Sequence, residues 1–354
     1  MSSREIEMKN KILLLGNIKQ DNSWSMKLYL EDLSKIDKRS KIFSPSSKVP
    51  LLFYKFFIYP FKIPWGYGGY HIIDHSYGNL AYFLSKKSLI ITCHDLIPKI
   101  FPQEISFRGR ILFEIYLGGL RKAKTIIVES KSTKRDLIKL LGINSNKIKV
   151  VTFPINLSKF YPIKGRIKKE TVLEGKKVLL SVGRQFYKNT SLILKTLKSL
   201  LEKDANFFLV KVGSFSEKER KFIKENNLKQ NILEKSNLGE EEMNEYYNLS
   251  NILIFPSLYE GFGKPPLEAM ASGTPVIVSN ASSLPEVVGN AALKVNPFSE
   301  KDLEDKILKI FNNPPLKREL IKKGFKNIKR FSFEKSKKEM EKIYSSFLKS
   351  SKNL

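Results

Sequence analysis

Between Asn251 and Gly273 the chain reads NILIFPSLYEGFGKPPLEAMASG, and no other stretch restricts the fold as much. Asn251 to Ser257 is an apolar, β-rich run of the kind buried in a parallel sheet. Gly261 and Gly263 then break the pattern and permit backbone conformations that other residues avoid. Pro265 and Pro266 suit a first helical turn, where a missing N–H costs little. The helix continues through Leu267, Glu268, Ala269, Met270 and Ala271, and Gly273 with Pro275 ends it. The stretch therefore predicts strand, loop and helix.

That order has chemical consequences. A glycine loop feeding a helix start presents backbone N–H groups and the positive end of a dipole, a cradle for phosphate. Glu260 stands before the loop and Glu268 in the helix, so the two carboxylates bracket the cradle instead of sharing one helix face. Carboxylates there would repel the phosphate itself but accept hydrogen bonds from hydroxyls on either side of it. A nucleotide sugar has that layout: sugar hydroxyls, diphosphate, ribose hydroxyls. The plainer alternative is an ordinary helix-starting loop with two solvated glutamates.

The string E-G-F-G-x-P-x-L-E-A-M-A-S-G-x-P-V-I resembles the donor-site signature of the retaining, family-4-type GT-B glycosyltransferases. The resemblance implies that Glu260 and the Phe262-Gly263-Lys264 backbone hold donor sugar hydroxyls. It implies that Glu268 takes the ribose hydroxyls, with Gly261, Pro266 and Leu267 completing the donor-contacting set.

At 354 residues the chain is long for one core and comfortable for two domains. Hydrophobic residues at 42% with 28% charged describe a globular chain. Lys+Arg 63 against Asp+Glu 35 gives a formal charge of +28, carried by 52 Lys and only 11 Arg. Sequence-specific nucleic-acid sites lean on bidentate Arg, whereas a lysine-rich surface attracts anionic partners diffusely. No compact basic helix, stacking motif or zinc spacing accompanies the charge, so no nucleic acid is expected as partner and a nucleic-acid-binding protein is a remote alternative. An anionic membrane surface is the better expectation, with compositional bias of the genome as the other source of the excess. Cys93 is the one cysteine, which rules out an intrachain disulfide and a thiolate metal cluster. MSSREIEMKN lacks the apolar core of a signal peptide. Pro50 to Trp65 is interrupted by Lys55 and Lys62 and is too short to span a bilayer. The expected location is cytoplasmic, with attachment to the cytoplasmic face of a membrane left open.

Along the chain, apolar runs predict strands at 11–16, 39–45, 70–76, 88–95, 124–130 and 147–153, then at 176–183, 207–213, 231–236, 251–257 and 274–279. After the first strand the resembled family often has a glycine-rich turn; here Ser23, Trp24 and Ser25 stand in its place. KVPLLFYKFFIYPFKIPWGYGGY packs aromatics between lysines. It reads either as an element packed on its own domain or as an interfacial one, with rings in lipid and Lys55 and Lys62 at headgroups. YHIIDHS and SLIITCHD end in polar clusters, and strand C-terminal ends line the ligand crevice of open parallel sheets. ITCHDLIPKIFP resembles the family's H-D-L-x-P segment, which implies that His94 contacts the donor sugar; Asp95 reads as a cap for the next helix. Gly183 to Asn189 resembles the family's G-R-x(n)-K-N segment, one residue short, and implies that Arg184 and Lys188 clamp the diphosphate. The loop Ser236-Asn237-Leu238-Gly239 matches the one that cups the nucleobase, which places Asn237 and Leu238 in the site. Glu286 reads as a loop-fixing residue.

The resemblance implies an α/β GT-B fold, two facing Rossmann-like, doubly wound parallel-sheet domains. The expected division is 1–165 on the acceptor side, joined by a terminal helix at about 335–354 that crosses back to it, and 166–334 on the donor side. The expected activity is metal-independent, cofactor-free transfer of a hexose, mannose from family frequency, from a nucleoside-diphosphate sugar to a glycan or lipid-linked acceptor. A GT-B synthase acting on a small soluble acceptor, of the sucrose or trehalose type, is the alternative.

Overall fold

The computed structural model of the chain describes residues 7–21, 24–165, 167 and 171–352. Ser23 lies outside them. The chain forms two compact units, one of Met1–Phe153 with Glu334–Leu354 and one of Pro154–Phe333.

In the first unit six parallel strands line up in the order β2-β1-β3-β4-β5-β6. They are β1 (Ile12–Leu15), β2 (Ser40–Phe43), β3 (Gly69–Ile72), β4 (Leu89–Thr92), β5 (Thr125–Val128) and β6 (Ile148–Val150). The inner strands β1, β3 and β4 are buried at every position, as continuous apolar runs covered on both faces must be. Among the described residues six helices lie between the strands: α1 (Trp24–Ile36), α2 (Leu51–Phe57), α3 (Tyr59–Lys62), α4 (Ile97–Ile100), α5 (Phe107–Lys122) and α6 (Lys131–Leu141). The C-terminal helix, Phe333–Lys352, buries Met340, Tyr344, Phe347 and Leu348, the stripe that 3.6-residue periodicity puts on one face. Tyr344 reaches His71 of β3 at 2.7 Å, and Arg39 donates to Ser345 at 3.0 Å.

The second unit repeats the plan as β12-β11-β10-β7-β8-β9, again all parallel. Its strands are β7 (Lys177–Val182), β8 (Phe207–Val212), β9 (Ile232–Lys235), β10 (Ile252–Phe255), β11 (Val276–Ser279) and β12 (Leu293–Val295). Among the described residues seven helices accompany them: α7 (Thr190–Lys203), α8 (Glu217–Glu225), α9 (Glu240–Leu249), α10 (Lys264–Ala271), α11 (Leu284–Val288), α12 (Glu300–Phe311) and α13 (Pro314–Ile328). Separate apolar cores fill the two sides of this sheet, and Ile155 and Phe160 belong to one of them. Strand β12 was not expected from the sequence: three residues with Lys294 in the middle carry no period to read.

Each sheet reverses its winding once, between β1 and β3 in the first unit and between β7 and β10 in the second. At such a reversal the flanking helices leave toward opposite faces and a crevice opens at the strand C-terminal ends. The polar clusters noted in the sequence sit there.

Candidate functional site

In the second unit the loops after β7 and β10 build the crevice. Beyond Val182 the chain turns at Gly183 with φ +110°, a value L side chains rarely adopt, and a Cβ there would strike the Lys188 side chain at 2.7–3.0 Å. Arg184 follows, exposed and with no carboxylate partner among the described residues. A short 3-10 turn, Phe186–Lys188, leads to Asn189 at φ +59° and into α7. The two loops are tied to each other: the Leu258 N–H donates to the Tyr187 carbonyl at 2.8 Å, and the Asn189 amide donates to Pro256 at 3.2 Å and Pro297 at 2.7 Å. This brings Lys188 Nζ to 2.7 Å from Glu260 Oε1, with only 12% and 10% of the two side chains exposed. The ammonium also lies 4.6 Å from the Phe255 ring centre. Lysine and glutamate, assigned separately to diphosphate and sugar by the sequence, form one buried ion pair.

The second loop is fixed from behind by the segment before α11. The Glu260 N–H donates to Ser282 Oγ at 2.8 Å, and Ser283 Oγ lies 2.9 Å from the Glu260 carbonyl and 2.8 Å from that of Phe262. Gly261 and Phe262 are buried, and Gly263 enters α10 at φ +103°, where a Cβ would sit 2.7 Å from the Leu284 side chain. Lys264 opens the helix. Pro265 and Pro266 remove two of the backbone donors such a start normally offers, leaving those of Gly263 and Lys264, while the dipole is unaffected. Leu267 is fully buried in the core and steers the helix. One turn in, Glu268 accepts a 2.8 Å hydrogen bond from the Tyr247 hydroxyl. Burial raises the Glu268 carboxyl above the usual range, opposed by Tyr247 and the charge of Lys264. Asn237 takes φ +56° in the loop between β9 and α9, and Leu238 beside it is packed against the core.

Three residues of these networks escaped the sequence reading: Tyr247, Ser283 and Lys211. Lys211 lies mid-strand in β8 with no exposure at all. Its ammonium donates to the Gly183 carbonyl, to Thr190 Oγ1 at 2.9 Å and weakly to Ser181 Oγ at 3.4 Å. It therefore clamps both ends of the loop that carries Arg184 and Lys188. Burial pulls its pKa down to about 8, and Lys188 adds to that pull. A lysine inside the run FFLVKVG was the available signal, hidden among so many other lysines.

In the first unit, His94 stands just beyond β4, half-buried with 12% of its side chain exposed, its ring edge-on to Tyr29 at 4.8 Å. Nε2 lies 2.9 Å from the Ile73 carbonyl and Nδ1 3.4 Å from the Glu129 carboxylate. Both neighbours are acceptors, so the ring is satisfied as an imidazolium. Burial alone would favour the neutral ring, but Glu129 outweighs it and the pKa is raised. Binding a hydroxyl through Nε2 requires release from Ile73. Asp95 accepts from the Ile97 N–H at 3.0 Å, holding the first N–H of α4 from the residue before its N-cap Leu96, and Glu129 is the carboxylate beside the imidazole. Beside His94, Asp74 accepts from the Asn17 amide at 2.9 Å and the Ser76 N–H at 2.8 Å. Lys55 corrects the sequence reading: it is 8% exposed and turned inward over the rings of Tyr77 at 4.0 Å and Tyr116 at 4.3 Å, so it does not meet headgroups.

Glu286, read as a loop-fixing residue, offers its carbonyl to Arg330 at 3.1 Å. No group of three or more His, Cys, Asp or Glu side chains among the described residues is arranged to hold a metal ion.

Comparison with known proteins follows the same division. Residues 164–327 match the family described as Glycosyl transferases group 1, and residues 34–159 match Glycosyltransferase Family 4. The O-antigen chain mannosyltransferase of Salmonella typhimurium is 29% identical over 228 residues, covering 63% of this chain and 61% of that protein. Mannosylfructose-phosphate synthase of Agrobacterium fabrum is 27% identical over 241 residues, covering 63% of this chain and 52% of that one. The chain thus spans less than two thirds of either relative's length. Among solved structures, Anabaena HepE in complex with UDP and glucose superposes with a TM-score of 0.79 at 14% identity, over 95% of this chain and 99% of that one. With both halves matched and the fold shared nearly end to end, the chain belongs to the family-4-type glycosyltransferases of the GT-B fold.

Proposed function

We propose that the chain transfers a hexose from a nucleoside-diphosphate sugar to a hydroxyl of a glycan or lipid-linked acceptor, with retention at the anomeric carbon. What carries this reading is the Lys188–Glu260 pair at 2.7 Å, placed beside the start of α10 and the exposed Arg184. Arg184, Lys188 and the helix start meet the charge that the leaving diphosphate gains, so the proposal assigns no metal to that task. Glu260 and the Phe262-Gly263-Lys264 backbone take hexose hydroxyls, with Gly261, Pro266 and Leu267 shaping the loop. Glu268 takes the ribose hydroxyls and Asn237 with Leu238 covers the base. His94 is assigned to a sugar hydroxyl. In the step itself the acceptor oxygen bonds to the anomeric carbon on the face the diphosphate leaves. The carbon–oxygen bond breaks with its electron pair on the phosphate, whose oxygen takes the acceptor's proton.

Mannose is the first choice of hexose, supported by the mannosyl names of both relatives. The synthase among them favours a second reading, a small soluble acceptor, which would use the same donor residues. A thermal-shift panel of UDP, GDP, ADP and their common sugars, run beside Glu268→Ala, tests the donor site. Ligand at about 100 times its Kd should stabilise by roughly 2.7 kcal/mol, and the variant should respond less. No shift with any nucleotide would sink the donor assignment.

A further inference from the structure

We propose that the first unit carries a docking face for an anionic lipid bilayer, built from α2, α3 and the end of the His75–Tyr82 3-10 segment. The proposal does not depend on the donor site. Residues 51–65 are divided by side. Tyr54, Lys55, Tyr59, Pro60 and Ile63 are buried, whereas Phe53, Phe57, Phe61 and Trp65 are 52%, 64%, 73% and 58% exposed. Phe53 and Phe57 touch, with ring centres 5.2 Å apart, and Phe61 meets Phe83 edge-on at 5.7 Å. Phe83 and its neighbour Tyr82, 41% and 49% exposed, come from a separate segment, so the row widens into a patch. Soluble proteins seldom leave a run of large rings in water; such patches mark interaction surfaces.

Charge identifies what covers it. From residue 38 to residue 94 the sequence holds eight Lys and Arg but a single carboxylate, Asp74, and that one is buried. The inward turn of Lys55 removes one cation from the face and clamps the helix so that Phe53 and Phe57 point out. Lys48, Lys62, Lys86 and Lys87, which precede, adjoin or follow the patch residues along the chain, remain exposed. A second copy of the chain would set this predominantly basic face against itself. A bilayer bearing anionic headgroups suits it: rings enter the headgroup–acyl boundary while lysines stay at the phosphates. Among the described residues no helix is long and apolar enough to cross a membrane, so the attachment proposed is peripheral.

Cosedimentation of the full chain with vesicles of phosphatidylcholine, or of phosphatidylcholine with one third phosphatidylglycerol, tests this. At about 0.1 M salt the protein should pellet with the phosphatidylglycerol vesicles and be released at about 0.5 M, since screening shortens the reach of surface charge. Phe57→Ser with Phe61→Ser should lower the bound fraction by about tenfold, and Lys62→Glu with Lys86→Glu should do the same. These are exposed positions, and an unchanged melting temperature and nucleotide response in the variants separates this test from that of the donor site. Wild-type protein left in the supernatant, or variants that bind as well as wild type, would overturn the proposal. So would concentration-dependent dimers that the same substitutions abolish, which would assign the patch to a second copy.

Discussion

Lys188 and Glu260 are 72 positions apart, and their pairing sets the electrostatics of the crevice. Their residue types were legible because each sits in a motif. Their contact was not, because it depends on two loops being tied through Tyr187, Leu258 and Asn189. Lys211 shows the same limit more sharply. A lysine mid-strand reads as a surface residue, and only burial turns it into the clamp of the Gly183 loop. Its depressed pKa has a definite consequence for stability. Below about pH 8 the ammonium is charged in both folded and unfolded chains, and its burial penalty is fully present. Between about 8 and the unfolded value near 10.4 the unfolded chain holds more protons, so this group's contribution to stability rises with pH. Lys188, Glu219 and Glu234 are the charged groups that bias it. In Lys211→Met that rise should vanish, so the stability difference between wild type and variant, measured by denaturation from pH 7 to 10, should shift steadily in favour of wild type. Parallel curves would assign the titration elsewhere.

At the scale of elements, the sequence pattern located the strands from β1 to β11 because each is a compact apolar run bounded by turn residues. It missed β12, which is a strand only because β11 offers an edge to pair with. The terminal helix was legible from its basic composition and from the resemblance of its segment to the family's; its key contact was not. Tyr344 hydrogen-bonds Nδ1 of His71, whose Nε2 meets Thr92 at 2.7 Å, and Thr92 in turn meets Tyr29 at 2.9 Å. Burial pushes the His71 pKa down to about 3, so the ring is neutral and each nitrogen relies on its one partner. Tyr344→Phe should therefore destabilise the first unit by about 1–3 kcal/mol, the cost of leaving a buried ring nitrogen unpaired. Urea unfolding would register this as a lower midpoint at unchanged slope; an unchanged midpoint would mean that the network relaxes without cost.

Taken whole, the molecule has two sheets with separate cores, which a single cooperative unfolding step does not describe well. Scanning calorimetry should resolve two components, and a nucleotide held at the Lys188–Glu260 crevice should move only that of the second unit. A shift of both together would mean that the cores unfold as one. The sequence by itself determined the two alternating strand–helix patterns and the glycine turn before α10, because these depend on periodicity, glycine and proline placement and local spacing, and its motifs carried the resemblance to the family. Only the tertiary structure decided which side chains meet. It paired Lys188 with Glu260, hid Lys55 and Lys211, engaged both nitrogens of His94 and left Phe53, Phe57 and Phe61 outside. The reason is physical: local backbone preference acts over a few residues, whereas burial and ion pairing depend on which distant segments the sheet order brings together.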